Sequence, residues 1–199
     1  MKEVLKRALE IISRPKAVWQ TIKAESYSPQ ELILNYAAPL ALIPAVATLI
    51  GLSIVGIKVP TGHMARAPFF DALVSGVLSY VFQLLSLPIG AWIVNLLAPY
   101  FNSKPDFHAA SKLVVYTMTP IWLLGFFAMM PGLGSLQIFG LYSFYLLYLG
   151  IPILMETPPD KILWYTVAII IASIFVSIVF SAILGGAFYG PMFIKMMAM

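Results

Sequence analysis

Residues 111–135 read SKLVVYTMTPIWLLGFFAMMPGLGS, a stretch with the composition of a membrane span but with a proline and three hydroxyl side chains near its middle. Proline removes one backbone hydrogen bond and clashes with the preceding turn, which costs about 3 kcal/mol inside a helix. In lipid no water is available to replace the lost bond. Pro120 therefore predicts a kink, and the protein itself has to satisfy the freed carbonyl of Tyr116.

The hydroxyl groups around Pro120 can do this. Thr117 and Thr119 can donate hydrogen bonds to backbone carbonyls in their own turn of the helix. The Tyr116 hydroxyl is long enough to reach a neighbouring helix or the membrane interface. We therefore interpret Tyr116, Thr117, Thr119 and Pro120 as a kink that the third span accommodates through its own side chains.

The rest of the chain is as apolar as this stretch. Of its 199 residues 61% are hydrophobic and 10% are charged, whereas about a quarter of the residues in a soluble domain are charged. The mean hydropathy is +0.93. We predict an all-α, polytopic integral membrane protein. The absence of cysteine excludes disulfides, thiolate chemistry and cysteine-ligated metals.

Five stretches are long enough to cross a bilayer, which takes about 20 apolar residues. We predict a transmembrane domain at residues 33–190, preceded by an amphipathic region at 1–32 and followed by a short tail at 191–199. The predicted spans are residues 33–57, 72–97, 111–130, 133–154 and 162–189. A Pro-Gly-Leu-Gly turn separates the third from the fourth and predicts a tight helical hairpin. The alternative is four spans, with the third stretch re-entrant.

The N-terminal region predicts two short amphipathic helices. In the first, apolar residues recur on one face opposite Lys6 and Arg7, as in a helix that lies in the membrane interface. The second starts near Pro15, and Trp19 suits the headgroup layer. The alternative is that both helices pack against the bundle. The motif Ser-Pro-Gln-Glu at 28–31 is a capping box and predicts the start of the first span.

The distribution of basic residues predicts the orientation of the chain. With five spans and a cytoplasmic N-terminus, nine basic residues lie in the cytoplasm and three outside. The nine are Lys2, Lys6, Arg7, Arg14, Lys16, Lys23, Lys104, Lys112 and Lys161, and the three are Lys58, Arg66 and Lys195. We therefore expect the C-terminus to lie outside.

We expect no ionisable residue deep inside the spans; Asp71 lies at the border of the second. This argues against an ion-coupled transporter and against intramembrane hydrolysis, and we predict no catalytic residue and no cofactor. Asp106 and His108 form a fragment of a possible metal site, but the topology places His63 on the other side, so ordinary solvation is the better interpretation. The few, dispersed basic residues do not predict nucleic-acid binding.

Small residues recur at helical spacing in the fifth span. One row is Ser173, Ser177, Ser181 and Gly185, and the neighbouring row is Ala182, Gly186 and Gly190. Such rows allow helices to approach closely in lipid. We expect this stripe to pack within one bundle, with a homo-oligomer interface as the alternative.

The block Tyr116-Thr117-x-Thr119-Pro120 resembles a motif of the Yip domain family, the Ypt/Rab-interacting membrane proteins. Pro15 and Trp19 followed by Glu25 are similar to the element that precedes the family's first span, and the aromatic-rich stretch 141–154 resembles its fourth span. The resemblance implies five helices, a cytoplasmic N-terminus and no established enzyme activity. Eukaryotic relatives bind prenylated Rab GTPases. The short N-terminal region here looks prokaryotic, so a small GTPase is an expected partner only of a eukaryotic-like member.

We therefore predict a non-enzymatic scaffold or adaptor in a prokaryotic inner membrane. Its expected partners are the lipid bilayer and other membrane or membrane-associated proteins, which would bind its cytoplasmic surface. One alternative is a small transporter or channel for a neutral or lipid-like solute, which would pass between the kinked helices. A lipid-dependent enzyme is the weakest alternative, because the sequence shows no catalytic cluster.

Overall fold

The computed structural model describes residues 2–58, 64–130 and 133–186, and nearly all of them are helical. Two short helices come first, α1 (Lys2–Ser13) and α2 (Pro15–Ala24). Span 1 follows at Pro29–Val55. It consists of α3 (Pro29–Leu32), a π-helical turn (Ile33–Ala37), α4 (Ala38–Ile50) and a second π-helical turn (Gly51–Val55).

The remaining spans include several breaks. Span 2 is α5 (Phe69–Leu97), extended by a 3-10 turn (Ala98–Phe101). Span 3 consists of α6 (Phe107–Thr117), α7 (Thr119–Leu124) and a 3-10 turn (Gly125–Met129), and span 4 of a 3-10 stretch (Gly134–Leu141) and α8 (Tyr142–Leu154). Span 5 is α9 (Ile162–Leu184). Between spans 1 and 2, β1 (Ile57–Lys58) pairs antiparallel with β2 (Met64–Ala65).

The predicted all-α membrane fold is confirmed. In the described part of the chain, spans 1, 2, 3 and 5 are helices long and apolar enough to cross a bilayer. Span 4 contains a shorter apolar helix, Ile138–Leu154. With the 3-10 stretch before it, span 4 runs from Gly134 to Leu154, which is about the 20 residues that a crossing takes.

The first span starts as its sequence predicts. The Ser28 hydroxyl accepts a hydrogen bond from the Glu31 amide at 3.2 Å, and the Glu31 carboxylate accepts one from the Ser28 amide at 2.9 Å. The capping box therefore satisfies two amides that the first turn of a helix leaves free. Span 1 then packs against span 2 through α4 and α5, and against span 3 through α4 and α7.

The C-terminal end of α2 and two loops meet at one end of the bundle, which we call the proximal end. Its loops are residues 102–106 and 155–161. The Lys104 amide donates to the Met155 carbonyl at 2.9 Å, and the Ser103 and Thr157 hydroxyls share a hydrogen bond of 2.8 Å. The β1–β2 pair lies at the opposite, distal end, beyond Gly51. The sequence predicted that the N-terminus and the loop before span 3 share one side.

The distal residues of the small-residue stripe of span 5 do not pack within the bundle as expected, whereas Ser173 is half-buried. Ser181, Ala182 and Gly186 are exposed, and a Cβ atom added at Gly185 or Gly186 would meet no atom within 4 Å. The reason is that α9 buries Tyr165, Thr166 and Ile169 in its proximal part, whereas its distal half is more exposed, although the Phe180 ring meets that of Phe82 edge to face at 5.0 Å. Gly190, residues 187–189 of the predicted span and the predicted tail lie outside the described residues.

Candidate functional site

The N-terminal helices pack along span 4. The Tyr142 hydroxyl donates to the Ile12 carbonyl at 2.9 Å, Trp19 contacts Gly150, and the Lys23 ammonium lies 3.0 Å from the Glu156 carboxylate. These contacts follow one another in the same order along both segments. The end of α1 and the whole of α2 therefore lie beside α8 and run in the same direction.

This arrangement corrects the prediction of an interfacial helix whose apolar face lies in lipid. Ala8 and Ile11 of α1 are fully buried against the bundle. Leu5 and Leu9, two apolar residues of the same helix, are exposed, and Leu9 has 63% of its surface accessible. The alternative, in which these helices pack on the bundle, agrees with the structure. Of the two basic residues assigned to the interface, Lys6 is exposed and Arg7 is half-buried.

Trp19 is fully buried, so its predicted place in the headgroup layer is wrong. Pro15 begins α2, because its fixed φ suits the first turn of a helix, and Trp19 follows one turn later on the buried face. A Cβ atom at Gly150 would lie 2.9 Å from the Trp19 ring and 2.5 Å from Cδ1 of Leu113. Glycine at this position therefore makes room for the indole between spans 3 and 4.

Charged and polar side chains meet beside this tryptophan. We call them the proximal polar cluster: Arg7, Glu25, Tyr36, Lys112, Tyr116 and Thr119. The Arg7 guanidinium forms a hydrogen-bonded ion pair with the Glu25 carboxylate. The Tyr116 hydroxyl donates to the other oxygen of the same carboxylate at 3.2 Å. Glu25 thus links α1 to span 3 from its position just after α2.

Lys112 joins the cluster from α6. Only 9% of its surface is accessible, and its ammonium donates to the backbone carbonyls of Glu25 and, at 3.5 Å, Lys23. The last carbonyls of a helix lack partners within the helix and carry partial negative charge, so a buried lysine is stabilised there. Lys112 lies near the proximal end of span 3, so the expectation that no ionisable residue lies deep inside the spans stays a prediction. Such residues near a span end indicate a functional or fastening role.

The hydroxyls of the kink motif bond differently from the prediction. Span 3 breaks at Met118, and Pro120 lies in the first turn of α7, where its missing amide costs little. The Thr119 hydroxyl pairs with the Tyr36 hydroxyl of span 1 at 2.8 Å instead of with its own backbone. The Thr117 hydroxyl is buried and has no hydrogen-bond partner among the described residues. The predicted reach of Tyr116 towards another segment agrees with its bond to Glu25.

Aromatic rings fill the space between these polar groups. The rings of Tyr36 and Tyr116 are 4.7 Å apart and tilted by 51°, and Trp19 meets Tyr116 edge to face at 6.3 Å. A cavity of about 280 Å³ adjoins the cluster, lined in part by Arg7, Tyr27 and Asn35. The cluster is therefore a packed junction with a polar recess on its outer side.

Two further ionic contacts organise the proximal end. The hydrogen bond from Lys23, its charge and that of Lys104 hold the pKa of Glu156 below its ordinary value. Asp106 caps α6, because its carboxylate accepts hydrogen bonds from the amides of His108 at 2.8 Å and Ala109 at 3.1 Å. Asp106 thus has a structural role, and His63 lies outside the described residues.

Sequence reasoning missed the part that Lys112 plays, although a signal was present. Lys112 and Tyr116 are four residues apart, a spacing that places them on one face of a helix. Glu25 was predicted only as part of the element that precedes the first span. A lysine one turn before the motif tyrosine, with a glutamate just before the first span, could have indicated the link between α2 and span 3.

The Yip1 domain family model matches residues 9–194 of the chain. The chain is also similar to the inner membrane protein YohC of Escherichia coli strain K12 and to that of an Escherichia coli strain of serotype O6:H1. Each is 26% identical over 148 residues, which cover 71% of this chain and 75% of the relative. No solved structure matches the chain. The matched region includes every part of the proximal polar cluster except Arg7.

Proposed function

Because the chain belongs to the Yip1 domain family of membrane proteins, we propose that it is a non-enzymatic adaptor that binds other proteins at its proximal surface. The relatives are named inner membrane proteins, which supports the same location for this chain. The excess of basic residues at the proximal end supports its placement in the cytoplasm.

One observation carries this proposal. The family-like sequence elements, which lie far apart in the chain, converge on the junction that fastens α1 and α2 to the bundle. Trp19 fits against Gly150, Glu25 binds Tyr116, and Thr119 binds Tyr36. A junction of this kind gives the outer face of the N-terminal helices a fixed position. A surface that is already fixed suits partner recognition, because its helices lose less conformational entropy when a partner binds.

The exposed face of these helices has the chemistry of a binding surface. Its basic side chains include Lys2, Lys6 and Lys16, and the apolar side chains of Leu5 and Leu9 lie beside them. Apolar groups framed by charges of one sign favour a partner with an acidic rim around an apolar centre. We therefore propose that the partner is a membrane-associated protein with such a surface.

Two sets of variants in the native host test the adaptor. The first replaces Lys2, Lys6 and Lys16 with glutamate, on exposed positions that make no contact in the proximal polar cluster. The second replaces Gln83 and Asn95 inside span 2 with leucine and leaves the proximal surface intact. The adaptor predicts that the first set loses co-purifying proteins and the second keeps them. Loss of the host phenotype in the second set alone, with partners retained, would favour transport of a neutral solute.

The orientation has its own test, because the chain contains no cysteine. Single cysteines at Lys104 and Met64, which are exposed at opposite ends, can be labelled with an impermeant thiol reagent in intact cells and in inverted vesicles. We expect Lys104→Cys to react only in inverted vesicles and Met64→Cys only in intact cells. Reaction of both from the same side would refute this topology.

A further inference from the structure

The turn between α1 and α2, residues 13–16, lies deep along the bundle. At the end of α2 the Lys23 ammonium contacts Glu156 at the proximal end. Just before the turn, the Ile12 carbonyl accepts a hydrogen bond from Tyr142 at the start of α8. Because α2 has 10 residues and a helix rises about 1.5 Å per residue, the turn lies about 15 Å below the proximal loops. This distance is about half of a hydrocarbon core of about 30 Å.

The outer face of α2 is polar along its whole length. Lys16, Gln20 and Lys23 follow one another on this helix, and all three are exposed. Charged and amide side chains are costly in hydrocarbon. Water or lipid headgroups therefore cover this side of the bundle down to the turn.

Glycine contacts show which part of span 2 lies at the level of α2. A Cβ atom at Gly150 would meet both Trp19 of α2 and Leu113 of span 3. A Cβ atom at Gly90 of α5 would lie 3.2 Å from Val114, the next residue of span 3. Gly90 and Trp19 therefore lie at one level on different sides of span 3, and both are nearer the proximal end than the turn.

The surface of α5 at this level is apolar. Ile89, Trp92 and Leu96 lie beside Gly90 or closer to the proximal end, and all three are exposed. Hydrocarbon suits this side at a level where the α2 side requires water. The headgroups of the proximal leaflet must therefore lie deeper beside the hairpin than beside α5, a local thinning that bilayers accept at modest cost.

Aromatic residues of span 4 give a second indication of the same headgroup level. Tyr145 and Tyr148 of α8 are exposed, and the Tyr145 ring lies 5.4 Å from that of Tyr142, which binds the end of α1. Tyrosine is enriched where a membrane protein meets the headgroup layer. These rings lie beside the hairpin, far from the proximal end of α8.

The turn itself carries two cations that are free to bind. Arg14 and Lys16 are exposed, and neither side chain forms an ion pair or a hydrogen bond among the described residues. The carboxylate four residues before Arg14, that of Glu10, lies 3.5 Å from Arg7 instead. The turn thus presents uncompensated positive charge at the level where headgroups meet the hairpin.

We propose that the turn between α1 and α2 binds the phosphate groups of anionic phospholipids of the proximal leaflet and holds them deeper than the headgroups beside α5. The planar guanidinium of Arg14 matches two phosphate oxygens, and Lys16 supplies a second positive charge. Lys16 also belongs to the proposed adaptor surface. The tests therefore use purified protein without any partner, so that they are independent of the adaptor.

The depth of the turn can be measured with single cysteines, because the chain contains none. Ser13→Cys and Ile89→Cys, both at exposed positions, are labelled with a fluorophore in vesicles of phosphatidylcholine and phosphatidylglycerol. Nitroxide lipids quench it from the headgroup or from the acyl chain. We expect headgroup nitroxide to quench position 13 more strongly, and acyl-chain nitroxide to quench position 89 more strongly, although position 89 is nearer the proximal end.

Lipid preference can be measured by native mass spectrometry of the detergent-solubilised protein. Phosphatidylglycerol and phosphatidylcholine with the same acyl chains are the probes, and we expect the parent to retain more of the first. A basic residue at a membrane surface contributes about 1 kcal/mol, so Arg14→Gln and Lys16→Gln should each weaken phosphatidylglycerol binding about fivefold. Lys2→Gln is the matched control, because it removes the same charge at the exposed far end of α1 and should bind like the parent.

Three results would overturn the proposal. One is quenching of position 13 by acyl-chain nitroxide as strong as that of position 89, which would place hydrocarbon at the turn. Another is equal retention of the two lipids by the parent. The last is that Lys2→Gln loses as much phosphatidylglycerol as Arg14→Gln, which would reduce the effect to overall charge. Unchanged melting temperatures of the variants confirm that each is folded.

Discussion

Gly150→Ala tests how α2 is fastened to the bundle. The new methyl group would lie 2.5 Å from Cδ1 of Leu113 and 2.9 Å from two atoms of the Trp19 ring. Both neighbours are fully buried, and the indole is rigid, so the methyl group can be accommodated only if packed segments move apart. Overpacking of this kind costs about 1–3 kcal/mol. We expect a value in the upper half of that range.

The free energy of unfolding can be measured by denaturant titration in mixed micelles, followed by circular dichroism. Gly140→Ala is the matched control, because its methyl group would meet only Cγ1 of Ile121 at an ordinary 3.5 Å. We expect this control to differ from the parent by less than about 0.5 kcal/mol. An equally small effect of Gly150→Ala would refute the close contact between Trp19 and span 4.

A double-mutant cycle makes the test specific. Leu113→Ala alone should cost about 2–5 kcal/mol, because it leaves a cavity in a buried site. In the Gly150→Ala background, Leu113→Ala also removes the atom that lies closest to the added methyl group. The double variant should therefore cost at least about 1 kcal/mol less than the sum of the two single variants. Strict additivity would show that the added methyl group does not press on Leu113.

Other consequences follow from particular contacts. Thr119→Val should lower the free energy of unfolding by about 1–3 kcal/mol, because it leaves the buried Tyr36 hydroxyl without its partner. Thr117→Val should be nearly neutral, because the Thr117 hydroxyl has no hydrogen-bond partner among the described residues. Equal melting temperatures for the two variants would contradict the bond between Thr119 and Tyr36. The pKa of Glu156 is lowered on folding, so its ionised carboxylate stabilises the fold at neutral pH, and this contribution is lost as the pH falls below about 4.5. The difference in melting temperature between the parent and Glu156→Gln should therefore shrink as the pH is lowered through that value. A difference that does not change with pH would refute the contribution of the Lys23–Glu156 contact. Gly186→Leu should leave the melting temperature of the monomer unchanged, since a Cβ atom at Gly186 would meet no atom within 4 Å. A large decrease in melting temperature would show that the stripe packs against another helix after all.

Composition predicted that the chain folds in a membrane, and a local motif predicted where the first span begins. The low charge content led directly to a membrane protein, and the capping box placed the start of span 1. The side on which the N-terminus and the 102–106 loop meet followed from counting spans. These features are set by residues near in sequence or by the thickness of the bilayer, so a single sequence contains the necessary information.

The environment of each apolar face could not be predicted in the same way. Lipid is as apolar as leucine, so the same pattern suits a helix in contact with lipid and one in contact with protein. Trp19 and the stripe at Ser181 and Gly186 were assigned to the wrong environments for this reason. The partner of Thr119 could not be foreseen either, because Tyr36 is 83 residues away in the chain.

Site-specific photo-crosslinking in native membranes tests the adaptor proposal most directly. A photoreactive amino acid is placed at the exposed positions Lys6 and Lys16 of the N-terminal helices and, as a comparison, at the exposed position Phe70 near the distal end. The adaptor predicts a discrete protein adduct from the two positions in the N-terminal helices, lost when Lys2 is replaced with glutamate, and none from Phe70. Adducts from Phe70 alone, or only lipid adducts from all three positions, would contradict it.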